Sequence, residues 1–244
     1  MMTEKIINLC DRNYIFVEKI CKEKTYGNLV VSIGSYTCAN YLIGLLDYNI
    51  SFGEYDLVLP VLPERLLSIL ENEKLEFMCK KARNIVVNDI GFLSYFNRKS
   101  YKNIRLGRLF FREYKDHRYE EYHKSFYESK IRETIVFLRN MKLDFVAVEA
   151  DIPTINTQFD VDCCIYIHVP YRQVSISHIC EYASIGKAIE EKYIPDDKCY
   201  YQCFKQLLEY PVSGYYKVGK NVYDLIVLGL GDVEKYNIIE TPRW

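Results

Sequence analysis

Short runs of β-branched and apolar residues alternate with helix-forming stretches along most of this chain, and that alternation limits what it can fold into. Residues 28–33, 56–62, 84–88, 103–106, 144–150, 163–169 and 223–228 read as strands, while 37–47, 64–81, 116–140 and 178–192 have helix-forming composition. Runs such as Leu57-Val58-Leu59 are apolar without alternation, which suits a parallel sheet covered by helices. Elements in this order predict the α/β class. Seven strands approach the count of a TIM-like (β/α) barrel, whether complete, incomplete or distorted.

Residues 4–24 read as an N-terminal amphipathic helix, because Ile6, Cys10, Tyr14, Val17 and Cys21 recur at helical spacing opposite Arg12, Lys19 and Glu23. Tyr26-Gly27 would end it. A chain of 244 residues with 49% hydrophobic content can bury one sizeable core, and no repeat or linker divides it. Residues 1–244 are therefore read as a single domain.

Charge excludes some partners. Lys+Arg 32 against Asp+Glu 33 leaves a net charge of -1, which offers no overall footprint for nucleic acid or anionic lipid. Residues 112–127 mix aromatics with charge, but Glu113, Asp116, Glu120 and Glu121 oppose a phosphate groove, so a solvated helix face is expected. No apolar run approaches the ~20 residues that span a bilayer. Asp11, Arg12 and Glu18 interrupt the N-terminal apolar residues, so no signal-peptide core is read and a cytoplasmic location is expected. In that reducing compartment nine cysteines, an odd count, point to metal or redox chemistry before disulfides.

Four of the nine are placed to act together. Cys199-Tyr-Tyr-Gln-Cys203 is a tight pair, Cys180 lies one segment upstream, and Cys38 follows the first clear strand. Cysteine thiolates from separate loops can hold an iron–sulfur cluster. Zinc is the alternative, held by Cys180, Cys199 and Cys203 with His178 or Cys38. A C-x3-C pair is also compatible with two small buried side chains on one helix face. Cys10, Cys21, Cys79, Cys163 and Cys164 fall within helix or strand patterns and are expected in packing roles.

Barrel enzymes gather reactive groups on loops beyond the strand C-termini, where Cys38, Asn88, Asp89, Arg108, Glu149 and Asp151 all fall. Glu149 and Asp151 could work as acid and base, although solvated loop acids are the simpler expectation. Asn88-Asp89-Ile90-Gly91 reads as a turn. Arg108 reads as a surface ion-pair partner, His168 as a hydrogen-bonded core histidine, and His178 as a neighbour of Cys180.

Several ordered segments resemble the collagenase-like peptidase family, above all its UbiV/UbiU-type iron–sulfur members of oxygen-independent ubiquinone synthesis. They are Asn28 to Cys38 with Gly34, Asn88-Asp89-Ile90-Gly91, His168-Val-Pro-Tyr, Ser177-His-Ile-Cys180, Asp197-Lys-Cys199-Tyr-Tyr-Gln-Cys203, and Ser213-Gly214-Tyr215 with Gly219. The resemblance covers roughly residues 28 to 230 and implies a barrel whose Cys38, Cys180, Cys199 and Cys203 ligate a 4Fe-4S cluster. It further implies work in or with an oxygen-independent, anaerobic hydroxylation or redox system, as a heterodimer with a related family member. Peptide hydrolysis is the enzymatic alternative, and a zinc-stapled interaction module the non-enzymatic one. No Ser/His/Asp or His-Glu-x-x-His pattern supports hydrolysis.

Overall fold

The computed structural model describes residues 4–11, 17, 19–20, 30–47, 53–61, 64–114, 131–151, 161–176, 180, 183, 186–192, 199, 209–212, 215–218, 221–225 and 236–242. Eight parallel strands close a barrel in the order β1-β12-β7-β6-β5-β4-β3-β2. They are β1 (Lys5–Asn8), β2 (Val30–Gly34), β3 (Tyr55–Leu59), β4 (Asn84–Val87), β5 (Ile104–Leu106), β6 (Ala147–Asp151), β7 (Cys164–Val169) and β12 (Asn237–Glu240). Helices α1 (Ala39–Asp47), α2 (Glu73–Lys81) and α3 (Ile90–Arg98), with a helical stretch over 131–140, lie between successive strands. The barrel expected from the alternation is thus the fold that forms.

A second sheet interrupts it. The cis Val169–Pro170 peptide joins β7 to β8 (Tyr171–Ile176), which pairs antiparallel with β11 (Asn221–Leu225). β10 (Tyr215–Val218) and β9 (Glu209–Val212) complete the order β8-β11-β10-β9. Of the run expected at 223–228 as a barrel strand, residues 223–225 belong to this smaller sheet and 226–228 lie outside the described residues. Its β-forming residues specify extended backbone but not which sheet takes it. The eighth barrel strand is β12, whose four residues are fixed by pairing with β1 and β7.

The helix expected over 4–24 also differs at its start. Lys5–Asn8 is the first barrel strand, pairing with both β2 and β12. Those non-local hydrogen bonds override the helical spacing of Ile6 and Cys10. Residues 17, 19 and 20 are helical, and the rest of that stretch lies outside the described residues, apart from the turn at 10–11. The stretch 64–81 divides at Asn72 into a 3-10 helix, Glu64–Glu71, and α2. Asn72 Oδ1 accepts the Lys74 and Leu75 amides at 2.9 and 3.2 Å, starting α2 afresh. Of the stretches 116–140 and 178–192, residues 115–130 and most of 178–188 lie outside the described residues. Residues 131–140, residue 183 and the short 3-10 turn Ile189–Glu191 are helical.

Strand parity divides the core in two. Ile7, Val31, Ile33, Leu57, Leu59, Ile85, Val87, Ile104, Leu106, Val148 and Ile167 pack in one cluster with the helix residues Leu42, Leu46, Leu75, Phe92 and Leu93, outside the barrel. Their strand neighbours face the axis. The Cα of Gly34, at φ 109, lies so close to β3 that a Cβ there would meet the Val58 carbonyl oxygen at 2.1 Å. No helix among the described residues is long and apolar enough to cross a membrane.

Candidate functional site

The barrel axis carries charge. A small apolar layer of Ile6, Val30, Ala147, Tyr166 and Ile239 is followed by Asn8, Ser32, Asp56, Arg105, Glu149 and His168, all buried. Nearer the strand C-termini lie Cys10, Tyr36, Val58 and Val86, then Asn88, Arg108 and Asp151. TIM barrels ordinarily fill these layers with branched apolar side chains. A buried charge is tolerable only when it is paired, so the partners define the site.

They form a connected column. At the N-terminal mouth Arg83 contacts Glu4 and donates to Asp56 from Nε at 3.0 Å and Nη2 at 2.9 Å. Arg105 donates from Nη2 to the same carboxylate, stacks with its Cζ 4.2 Å from the Tyr166 ring centroid, and places Nε 3.0 Å from Glu149 Oε1. The last contact is an ion pair in which the N–H is not directed at the oxygen. Glu149 Oε2 then accepts the Tyr36 hydroxyl at 2.9 Å and lies 3.0 Å from His168 Nε2. The Tyr36 and His168 rings meet edge-on with centroids 5.5 Å apart.

Tyr36, Glu149 and His168 converge from the loop after β2 and the C-terminal halves of β6 and β7. Burial holds the Glu149 carboxyl above its ordinary range, against the opposing pull of Arg105 and the Tyr36 hydrogen bond. Burial, then the Glu149 charge, pushes the Tyr36 phenol well up, so it remains a donor. Arg105 is held above its ordinary value: burial opposes its charge, but Glu149 and Asp56 outweigh burial. With Glu149 ionised, both Tyr36 OH and a protonated His168 Nε2 donate to it. With Glu149 protonated, its carboxyl donates to His168. Glu149 and His168 can therefore share one proton between Oε2 and Nε2 while Tyr36 donates its own to the same carboxylate oxygen, the elementary arrangement of acid–base catalysis.

Arg108 roofs this centre. Its Cζ lies 5.7 Å from the Tyr36 ring centroid and 5.8 Å from that of Tyr223, and it pairs with Asp151 and donates to the Tyr171 carbonyl at 3.1 Å. Tyr171 and Tyr223 belong to β8 and β11, so the second sheet closes on the barrel's C-terminal face through this arginine. The expectation of a surface ion pair at Arg108 is overturned, since it is 1% exposed. So is that of solvated loop acids: Glu149 and Asp151 are fully buried, because β6 runs through Asp151 and both face inward.

His168 is the buried, hydrogen-bonded histidine expected. Asn88 and Asp89 are more than a turn. Asp89 caps α3, accepting the Phe92 amide at 2.8 Å, and buried Asn88 donates to the Leu59 carbonyl at 2.9 Å. A Cβ at Gly107 would meet Asn88 Oδ1 at 2.2 Å, so glycine there leaves room for the Asn88 side chain, whose Oδ1 accepts the Leu109 amide at 3.4 Å. Asp56, Arg105 and Tyr36 were not singled out from sequence. The available signal was a charged residue amid apolar strand residues, as in Tyr55-Asp56-Leu57 and Ile104-Arg105-Leu106.

The cysteines divide differently. Cys38 opens α1, partly exposed, with its amide donating to Ser35 Oγ at 2.7 Å and its Sγ accepting the Tyr41 amide at 3.4 Å. Cys180 and Cys199 are partly exposed, and Cys203 and His178 lie outside the described residues. Among the described residues no three His, Cys, Asp or Glu side chains are grouped to hold a metal ion. Cys10 and Cys79 are buried in packing positions as expected, whereas Cys164 is exposed at the start of β7. No protein-family profile, curated protein or solved structure matches the chain.

Proposed function

We propose that this chain is a 4Fe-4S cluster-binding barrel protein of the collagenase-like peptidase type, acting in or with an oxygen-independent hydroxylation or redox system. The observation that supports it is a shared loop. Cys38, the first ligand in the proposed set, lies two residues after Tyr36 on the segment that leaves β2. Ser35 Oγ and Asp11 tie that segment down, with Ser35 donating to Asp11 and accepting the Thr37 and Cys38 amides. A proposed ligand for a redox centre and a hydrogen-bond donor to the buried Glu149–His168 pair thus leave β2 on one segment, on the face where barrel enzymes do their chemistry.

Cys38, Cys180, Cys199 and Cys203 would hold the cluster, which with four protein thiolates would supply electron transfer or structural support. The chain's own residues do the rest: Glu149 and His168 hold a proton at Oε2 and Nε2, Tyr36 donates to the same oxygen, and Arg105 balances the carboxylate charge. In this reading the protein works in the cytoplasm, with a related family member as partner. The test is anaerobic expression of Cys38→Ala, Cys199→Ala and Cys203→Ala beside the parent chain, with iron content and the electron paramagnetic resonance of the reduced protein measured on each. Each variant is expected to lose most of its iron and its signal. Unchanged iron in all three, or zinc without labile sulfide in the parent, contradicts the proposal.

A further inference from the structure

Outside the barrel, α2, α3 and the 3-10 helix Glu64–Glu71 enclose a cleft of about 300 Å³ that shares no residue with the barrel-mouth centre. Its apolar lining includes Leu75, Cys79 and Phe96, each 2% exposed. Tyr95 and Tyr101 stand edge-on to Phe96 with ring centroids 5.2 Å away on either side. The lining is therefore built of aromatic edges and faces, with a buried, neutral thiol: burial pushes Cys79 up to about 12.

The rim is cationic. Lys80 is matched by Glu76 at 2.6 Å, one turn away on α2. Lys99 has no carboxylate within ion-pair distance among the described residues, and its Nζ lies 5.8 Å from the Tyr95 ring centroid. The turn that presents it is fixed: the Ser100 amide donates to the Asn97 carbonyl at 2.9 Å and the Tyr101 amide to that of Phe96 at 3.1 Å. This places Ser100 at φ 61, and the Tyr101–Phe96 contact completes a Schellman-type helix end. Lys99 and Tyr101 thereby flank a preformed aromatic cleft.

We propose that this cleft is a binding site for a small aromatic monocarboxylate, its ring against Tyr95, Phe96 and Tyr101 and its carboxylate on Lys99. The volume lies at the lower end for small-molecule sites, which suits one ring or a compact bicycle. Among the described residues lining the cleft, Lys99 is the one cation with no carboxylate within ion-pair distance, which suits a single negative charge on the ligand. The site is independent of the reading of the barrel mouth.

The test titrates the full-length protein with phenylacetate, 2-phenylethylamine and acetate, following the ring resonances of Tyr95, Phe96 and Tyr101 by NMR. Phenylacetate is expected to shift all three rings with a Kd on the order of 1 mM, with the amine and acetate at least about tenfold weaker. Lys99→Glu, a change at an exposed position, is expected to weaken phenylacetate about tenfold and to reverse its advantage over the amine. Cys79→Ser, which makes the lining polar, is expected to weaken phenylacetate with the charge preference retained. No shift of these rings at tens of millimolar phenylacetate, equal uptake of acid and amine, or undiminished binding by Lys99→Glu overturns the proposal.

Discussion

At the scale of single residues, Arg105 carries the most consequence. It lies between Asp56 and Glu149 with no exposed surface, so its removal leaves two buried carboxylates without their shared cation. Arg105→Met is expected to lower stability by about 3–5 kcal/mol, read by urea unfolding. Arg105→Lys should recover only part, because an ammonium cannot reproduce the guanidinium stack on Tyr166. Glu149 gives a pH test. Its folded pKa lies above the ordinary 4.5, so its ionisation opposes folding. Relative to Glu149→Gln, the parent chain should hold its advantage below that value and lose it as pH rises through the raised folded pKa. A stability gap that stays constant across that window, or grows the other way, contradicts the assignment. Glu149, Asp151, Arg108 and His168 could be picked from the sequence as candidates. Only the burial of His168 was legible; that of Glu149, Asp151 and Arg108 was not, because it depends on β6 reaching Asp151 and on a second sheet closing over Arg108, and neither is local information.

At the scale of elements, the starts of α2 and α3 escape the sequence reading, which runs one helix over 64–81 and takes 88–91 as a turn. Asn72 and Asp89 are ordinary N-cap residues, although Asp89 within Asn-Asp-x-Gly reads equally well as a turn. Asp89→Ala is expected to cost about 1 kcal/mol in thermal or urea unfolding. Two helices finish on residues other than glycine. Ser100 and Lys142 take the left-handed C′ position, at φ 61 and 58, and each is followed by an apolar residue whose amide reaches back, Tyr101 to Phe96 and Leu143 to Leu138. Ser100→Gly is expected to stabilise by about 0.5–1 kcal/mol, and loss of stability would contradict the left-handed assignment. Gly34 was legible as a glycine in a strand but not for its reason, since the carbonyl of Val58 belongs to the neighbouring strand.

For the whole molecule, the alternation of elements carried the α/β barrel into view, and six of the seven expected strands are barrel strands, but the run at 223–225 belongs to the second sheet and the sequence reading missed β1 and β12. β1 and β12 are four residues each and take their identity from each other: Ile238 donates to the Glu4 carbonyl, and the Asn8 side chain donates to Thr241 Oγ1 at 3.0 Å. Deleting residues 236–244 is expected to open the barrel between β1 and β7 and abolish a single cooperative unfolding transition. The second sheet was invisible as a unit because long connections set which strands meet. The same limit applies to the four cysteines, whose proposed ligand role rests on order along the chain. The most direct measurement is iron and acid-labile sulfide on the parent protein, purified without oxygen. The account predicts about four of each per chain; a preparation that is folded by circular dichroism yet holds zinc, or no metal and no sulfide after anaerobic reconstitution, contradicts it.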